Sequence, residues 1–204
     1  MEKVNNNIRI HAQIFAFLII WAIVVLIFGS ISSFDIWQAL KQVPQAISVY
    51  AVICIIFTKW IWRWNIFKGW LIKIPDIQGT WKGNLKNDWV NSETSKGLDP
   101  IPVVLTIKQS FSSISCILMT KESTSYSTTA DINLLNGDTL YLTYNYTNRP
   151  KASIRDRSQI HDGASILKII QKPKFILEGE YWTSRKTRGD MNLNFVSREI
   201  QEKF

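Results

Sequence analysis

The sequence predicts a membrane-anchored all-β protein, with two N-terminal transmembrane helices followed by an eight-stranded antiparallel up-and-down β-barrel. Two long apolar runs lie within the first 60 residues. After Pro75, apolar and polar residues alternate between turn residues, and no amphipathic helical pattern follows. We therefore expect a transmembrane hairpin over 1–64, a juxtamembrane connector over 65–74 and a cytosolic ligand-sensing barrel over 75–204.

The two apolar runs are the first elements of the chain. Residues 14–28 contain no polar side chain, and residues 43–57 are interrupted at three positions. Because a bilayer core of about 30 Å requires roughly 20 mostly apolar residues, each run with its flanks is expected to span the membrane. Residues 29–33 resemble a cleavage site, which leaves a secretory signal peptide as the alternative for the first run.

Basic residues beside the apolar runs predict their orientation. They lie before the first run and after the second, at Lys3, Arg9, Lys59, Arg63, Lys68 and Lys73. The loop over 29–42 carries one acid and one lysine. By the positive-inside rule, both termini and the barrel are expected in the cytoplasm.

Tryptophans alternate with basic residues after the second run, at Trp60, Trp62, Trp64 and Trp70. Aromatic and basic residues together can bind nucleic acid, but beside a predicted span they are typical of an interfacial belt in contact with membrane lipid. We therefore expect a lipid partner and neither DNA nor RNA.

Eight strands are expected in the barrel, near 79–85, 102–110, 114–120, 125–132, 139–146, 162–170, 175–182 and 189–197. Tight turns are predicted at Ser112-Ser113, Asn136-Gly137 and Lys172-Pro173, and the other links are mostly longer and polar. In an up-and-down barrel, links after odd and even strands lie at opposite ends. The tight turns therefore form a closed end, and the longer loops surround a mouth wide enough for one small ligand.

A G-x-W motif, Gly79-Thr80-Trp81, begins the first predicted strand. It resembles the start of the lipocalin and calycin barrels, in which the tryptophan plugs the closed end and an arginine after the last strand packs across the indole. Arg198 is placed to do so, and a cation–π contact gives the pairing a physical reason. Trp81 and Arg198 are therefore predicted to be structural.

Candidate ligand-binding residues follow from alternation along the predicted strands. Six polar or aromatic side chains are predicted on the inner face towards the mouth: Gln109, Tyr126, Thr128, Tyr144, Tyr146 and Tyr181. Tyrosines can stack on planar rings and donate hydrogen bonds. The alternative is that they are amphipathic rim residues without a ligand.

Cations cluster on two predicted mouth loops, with four between the fifth and sixth strands and three between the seventh and eighth. Guanidinium groups bind phosphate oxygens in pairs, so Arg149, Arg185 and Arg188 are the candidates for phosphate contact. The alternative is that these loops are simply solvated. Cations above tyrosines predict a ligand that carries phosphates and flat rings.

Catalytic chemistry has little support in the sequence. His161 and Asp162 are neighbours on a predicted strand and face opposite sides, so they do not form a triad with Ser165. No Cys/His spacing indicates zinc, and no phosphate-binding glycine loop is present. We expect no catalytic residue, metal or cofactor, and no enzymatic activity.

The whole chain resembles one family. The resemblance rests on two apolar N-terminal segments, a Trp-rich stretch, the segment Ile74-Pro75-Asp76-Ile77-Gln78-Gly79-Thr80-Trp81-Lys82-Gly83 and the later Gly179-Glu180-Tyr181-Trp182. It is similar to the two-transmembrane, β-strand-rich effectors of bacterial CBASS anti-phage systems, the SMODS-associating or CD-NTase-associated type.

This resemblance implies a bacterial inner-membrane protein whose barrel binds a cyclic dinucleotide made by a partner nucleotidyltransferase. Ligand binding would drive homo-oligomerisation, after which the assembled spans would disrupt the membrane and kill the infected cell. The alternative function is a membrane-anchored calycin-like barrel that binds a lipid or another small hydrophobic ligand.

Overall fold

The computed structural model describes residues 6–28, 36–67, 72, 74–88, 97, 99–135 and 139–204, with side chains of the first helix described at 11 and from 13 onwards. The chain divides into two compact units, Met1–Ile72 and Lys73–Phe204. Several sequence predictions lie outside the described residues: the basic residues Lys3, Lys68 and Lys73, the side chain of Arg9, the interfacial Trp70, the Asn136-Gly137 turn, and the link over 29–35.

The first unit is helical, with α1 at Asn6–Phe28, α2 at Ile36–Lys41 and α3 at Val43–Lys59, followed by 3-10 turns at Ile61–Arg63 and Asn65–Phe67. Pro44 lies in the first turn of α3, where a missing N–H costs no helical hydrogen bond. The α1 and α3 helices contact each other through an edge-to-face pair, Phe17 and Tyr50, with centroids 5.8 Å apart. Trp21 Nε1 donates to the Ala39 carbonyl of α2 at 3.1 Å, which ties the three helices together.

The predicted transmembrane hairpin is wrong. Among the residues that the structure describes, no helix combines the length and the apolar character needed to cross a bilayer. The α3 helix has 17 residues, about 26 Å at 1.5 Å per residue, which is less than the bilayer core. The α1 helix has 23 residues, but its first turns are polar and the apolar run within it is fifteen residues long. The predicted inner-membrane localisation, with both termini cytoplasmic, depended on these two spans and is therefore not supported either.

The second unit is an eight-stranded closed antiparallel barrel in which each strand pairs with its neighbours in sequence, as predicted. Strand β8 pairs with β1 to close it. The strands are β1 (Gly79–Asn87), β2 (Ile101–Gln109), β3 (Ile114–Met119), β4 (Ser123–Leu135), β5 (Thr139–Pro150), β6 (His161–Ile170), β7 (Ile176–Thr183) and β8 (Arg188–Ser197). Of the links that the structure describes in full, those over 110–113 and 171–175 therefore lie at the closed end, and those over 120–122, 151–160 and 184–187 lie at the mouth.

Trp81 lies in the barrel core near the closed end. Its side chain is fully buried, and its indole N–H donates to the Ile77 carbonyl at 3.0 Å. Phe175 and Phe195 pack edge-on against it, with centroids 4.9 and 5.2 Å away. These aromatic contacts pack the interior of the barrel near its closed end.

Arg198 lies in the chain after β8, as expected, but its aromatic contact differs from the prediction. Its guanidinium carbon lies 5.3 Å from the ring centroid of Phe195, and Phe195 in turn contacts Trp81. The same side chain donates to the carbonyls of Asp76 and Gln78 at 3.1 and 2.9 Å. Arg198 therefore fastens the segment before β1 to the end of β8.

Candidate ligand-binding site

Three of the predicted tyrosines do point into the barrel. Tyr144, Tyr146 and Tyr181 are 3%, 5% and 8% exposed and belong to the hydrophobic core. Burial raises the pKa of Tyr146 to about 12 and that of Tyr144 well above its usual range. The hydroxyls are therefore neutral at physiological pH and can donate hydrogen bonds, and the rings are part of the buried core.

Tyr146 owes its position to a glycine on the neighbouring strand. Gly163 is its cross-strand partner in β6, and a Cβ atom at Gly163 would lie 2.5 Å from the Tyr146 ring. The ring occupies the space that any other side chain at Gly163 would need. This close approach explains why the mouth half of the barrel is packed by aromatic rings.

Tyr126 and Thr128 face outward, contrary to the alternation predicted for β4. The pairing with β5 shifts between Ser127 and Thr129, so Thr128 is an extra residue in a β-bulge. An extra residue inverts the faces on one side of the bulge. Tyr126 is therefore 49% exposed, whereas its neighbour Ser125 is 3% exposed.

The bulge brings a polar network inside the barrel that the sequence analysis missed. Asn148 Nδ2 donates to the hydroxyls of Ser123 and Ser125 at 3.0 and 2.9 Å. Asn148 continues the alternation of Tyr144 and Tyr146 along β5, which was the available sequence signal. These three side chains give the interior near the mouth hydrogen-bonding capacity between β4 and β5.

Gln109 lies at the closed end rather than at the mouth. Strand β2 runs from the mouth to the closed end, so its last residue is furthest from the loops. Gln109 Oε1 accepts the Ile77 N–H at 2.8 Å, and Nε2 donates to the Pro75 carbonyl at 3.0 Å. The structure thus separates Gln109 from the other predicted ligand-binding residues.

Two of the predicted phosphate-binding arginines lie where β7 turns into β8, with Arg185 in the turn and Arg188 as the first residue of β8. Arg185 donates to the Ser158 hydroxyl at 3.2 Å and so connects this turn to the β5–β6 loop. Arg188 forms an ion pair with Asp88, just beyond β1. The hydrogen bond to Asp88 raises the pKa of Arg188, which keeps its charge at every physiological pH.

The mouth also holds His161 and Tyr181. Burial lowers the pKa of His161, and the charge of Arg185 lowers it further. Burial raises the pKa of Tyr181, and Asp88 adds to this rise. Tyr181 and Arg188 are therefore both within electrostatic range of the Asp88 carboxylate.

Arg149 is placed differently from the other two arginines. It is an exposed residue of β5 between buried Asn148 and Pro150, so it lies on the outer face. Of the other loop cations, Arg157 pairs with Glu122 at 2.6 Å. The structure therefore brings Arg185, Arg188 and Tyr181 to one side of the mouth and leaves Arg149 outside the barrel wall.

A groove of about 250 Å³ lies on the barrel wall over β4 to β7, where the sequence predicted no site. Its lining includes Asp131, Asn145, Ala164, Ile166 and Trp182. Trp182 is 43% exposed, although it is a large apolar side chain. The sequence signal was the Gly179-Glu180-Tyr181-Trp182 segment, which contributed to the family resemblance, but Trp182 itself was assigned no role.

Metal chemistry has no visible support in the described part of the chain. No group of three or more His, Cys, Asp or Glu side chains there is arranged to hold a metal ion. The two cysteines, Cys54 and Cys116, are free, and burial raises the pKa of Cys116 far above its usual range.

The closed barrel thus carries buried tyrosines inside and arginines at one side of its mouth, and guanidinium groups are the side chains that bind phosphate oxygens in pairs. A model of the family described as Cap15, cyclic dinucleotide receptor domain, matches residues 72–194. This match covers more than half of the chain and all strands except the end of β8. The chain therefore belongs to the Cap15 cyclic dinucleotide receptor domain family.

Two curated relatives agree with this assignment. The chain is 28% identical over 194 residues to CD-NTase-associated protein 15 of Staphylococcus schleiferi, covering 94% of this chain and 97% of the relative. It is 26% identical over 148 residues to CD-NTase-associated protein 15 of Escherichia albertii, covering 72% and 73%. The coarser prediction, a CBASS-associated effector whose barrel is a cyclic dinucleotide receptor, is confirmed.

Proposed function

We propose that this protein is a non-enzymatic CBASS effector, activated when its barrel binds a cyclic dinucleotide from a partner nucleotidyltransferase. The observation that carries the proposal is the receptor-domain match over the barrel. A receptor of this kind needs a ligand-dependent change of state and no bond-making chemistry. The finer steps proposed below are the phosphate contacts, the self-association and the action on lipid.

The phosphates of the ligand bind at the β7–β8 side of the mouth. Arg188 already holds an anionic group, the carboxylate of Asp88, and a phosphate can replace it with the same hydrogen-bonding geometry. Arg185 is three residues away on the same turn and carries a second forked donor. Displacement of the Asp88 carboxylate from Arg188 would break the side-chain contact between Asp88, just beyond β1, and Arg188, the first residue of β8, which gives binding a structural consequence.

The tyrosines below the arginines supply neutral hydrogen-bond donors. Burial raises the pKa of Tyr181 and of Tyr146, so both hydroxyls stay protonated and neutral at physiological pH. In this proposal Tyr181 and Tyr146 fix the floor of the mouth, and Arg149 contributes long-range attraction for the anion from the outer wall.

The effector step is self-association of the helical unit, followed by contact with membrane lipid and loss of membrane integrity. The first and third helices expose many apolar side chains, among them Phe15, Leu18, Leu26, Ile27, Val52 and Ile55. Copies brought together can bury these surfaces against each other or against lipid. A ligand can drive the assembly because it binds the assembled state more tightly than the free state.

The full-length protein tests this proposal. Isothermal titration with cyclic di-GMP, cyclic di-AMP and cyclic GMP–AMP should show saturable binding by at least one, with a rise in mass by analytical ultracentrifugation. Arg185→Glu and Arg188→Glu should each weaken binding at least about tenfold, since each replaces a charged donor by a repelling anion. Lys203→Glu is the matched control, an exposed cation in the C-terminal tail.

A second measurement separates binding from the effector step. Dye-filled vesicles of mixed zwitterionic and anionic lipid should leak after addition of protein and the bound dinucleotide, and not after either alone. Absence of binding by all three dinucleotides, together with binding of a fatty acid or another hydrophobe, would replace this proposal with the hydrophobic-ligand function.

A further inference from the structure

The groove on the barrel wall is built around a continuous row of cross-strand neighbours. Thr129 pairs with Asn145, Asn145 with Ala164, Ala164 with Trp182, and Trp182 with Arg188. The row therefore leads across five strands, from the polar β4–β5 wall to the arginine at the mouth. Because directly opposite residues on one face are about 5 Å apart, Trp182 and Arg188 can contact the same ligand.

The shape of this groove suits a flat ring. Trp182 offers an exposed indole on one side, and Ala164 beside it is a small residue that leaves the space in front of the indole open. Indole rings are strong stacking surfaces for nucleobases. The volume of about 250 Å³ is below the range of roughly 300–1,000 Å³ of whole-ligand pockets, so the groove fits one base rather than a complete dinucleotide.

The opposite wall supplies fixed hydrogen-bonding groups. Asn145 Nδ2 donates to the Thr129 hydroxyl at 3.0 Å, and Asn133 Nδ2 donates to the Thr143 hydroxyl at 2.8 Å. These cross-strand bonds hold the polar side chains in place before a ligand arrives. Asp131 lies on the same wall and adds a carboxylate, which accepts hydrogen bonds from N–H donors.

Charge gives the groove a direction. Asp131 lines the groove, and exposed Glu180 is the cross-strand partner of the lining residue Ile166, so a phosphate is disfavoured within the groove. Arg188 lies outside the groove, opposite Trp182 on β8, and attracts a phosphate there. A molecule with a donor-edged ring and a phosphate would therefore bind with its ring against Asp131 and Trp182. The interior near the mouth already holds the rings of Tyr144, Tyr146 and Tyr181, which are buried in the hydrophobic core.

We propose that the groove between Asp131 and Trp182 binds one nucleobase of the cyclic dinucleotide, while a phosphate of the same ligand contacts Arg188. The base stacks on Trp182 and donates N–H groups from its edge to Asp131. The ligand thus crosses the rim of the barrel at β7 and β8, with one base on the outer wall and a phosphate at Arg188. This inference rests on the proposed function and adds to it the position at which one nucleobase of the ligand binds.

The test uses the full chain and whichever of cyclic di-GMP, cyclic di-AMP and cyclic GMP–AMP binds the unaltered protein most tightly. Trp182→Ala should weaken binding at least about fivefold through lost stacking, and Trp182→Phe should restore most of it. Asp131→Asn should weaken binding roughly tenfold, because one acceptor is replaced by a donor. Trp64→Ala and Glu202→Gln are the matched controls, an exposed indole and an exposed carboxylate elsewhere.

Thermal unfolding of each variant serves as the check on folding, since these four side chains are at the surface. The inference is overturned if Arg188→Glu weakens binding while Trp182→Ala and Asp131→Asn bind like the unaltered protein. That result would leave the proposed function intact and would place both bases elsewhere. If none of the three dinucleotides binds the unaltered protein, the proposed function and this inference are both overturned.

Discussion

Gln109 fastens Ile77 to the closed end of the barrel across 32 residues of sequence. The side-chain oxygen accepts the Ile77 N–H at 2.8 Å, and the amide nitrogen donates to the carbonyl of Pro75 at 3.0 Å. Gln109 is 5% exposed, so these bonds are shielded from water. The segment that leads into β1 is thereby held against the end of β2, and Ile77 in turn accepts the indole N–H of Trp81.

Gln109→Glu is expected to lower the free energy of unfolding by about 1–3 kcal/mol, because a carboxylate cannot donate to Pro75 and a buried acceptor is left unpaired. Urea denaturation measures the change, with Gln45→Glu as the exposed control. Nucleotide affinity should not change. Lower affinity with unaltered stability would instead support the ligand-binding role predicted from the sequence.

Trp81→Ala is expected to lower the free energy of unfolding by about 3–5 kcal/mol, because it leaves a cavity between Phe175 and Phe195 and removes the bond to Ile77. Trp64→Ala, at a 59% exposed indole, should change it by less than about 0.5 kcal/mol. Equal effects of the two substitutions would show that Trp81 is not the plug of the barrel core.

Arg198→Lys is expected to destabilise the barrel by about 1 kcal/mol, although the charge is kept. A lysine can reach Asp76 but cannot donate to the carbonyls of Asp76 and Gln78 from one planar group. Lys203→Arg is the reverse control in the same tail. Full stability of the Arg198→Lys protein would mean that the charge alone fastens the tail.

Alkaline pH should destabilise the barrel through its buried tyrosines. The pKa of Tyr146 is raised to about 12, so in the unfolded chain this group loses its proton near pH 10 while the folded chain keeps it. The contribution to stability is complete below pH 10 and falls as the pH rises from 10 to 12. Denaturation at pH 9 and pH 11 should show a smaller loss in Tyr146→Phe, with some loss remaining from Tyr144 and Tyr181.

Arg185→Gln should raise the pKa of His161, because the guanidinium charge contributes to its depression. Proton NMR of the imidazole across pH 5 to 8 measures the change. Arg157→Gln, whose partner is Glu122, should leave the titration of His161 unaltered. An unchanged His161 pKa in Arg185→Gln would indicate that burial alone causes the depression, and that Arg185 does not approach the mouth.

The barrel and its ends were predictable because their signals are local. Alternation along the strands and short polar turns specify an up-and-down meander without knowledge of distant contacts. The inward direction of Tyr144 and Tyr146 followed from the same period of two. The cations where β7 turns into β8 were likewise visible as a cluster on a predicted loop.

The inner face of β4 could not be predicted from its sequence. The bulge at Thr128 depends on pairing with β5, and one extra residue exchanges the inner and outer faces of Ser125 and Tyr126. The position of Gln109 depended on the direction of β2 relative to the mouth. An unrecognised bulge in β4 therefore assigned Tyr126 to the wrong face, and a wrong direction for β2 assigned Gln109 to the wrong end of the barrel.

The sequence by itself determined the eight-strand order, the apolar core and the chemical types available to a phosphate-bearing ligand, because those depend on composition and short-range periodicity. The tertiary structure decided which of these groups meet. The groove of Trp182 and Asp131 joins residues more than fifty positions apart, the described helices lack the length and apolar character needed to cross a bilayer, and the bulge in β4 turned Tyr126 outward. Long-range pairing set those distances, and no local pattern in the chain encodes them.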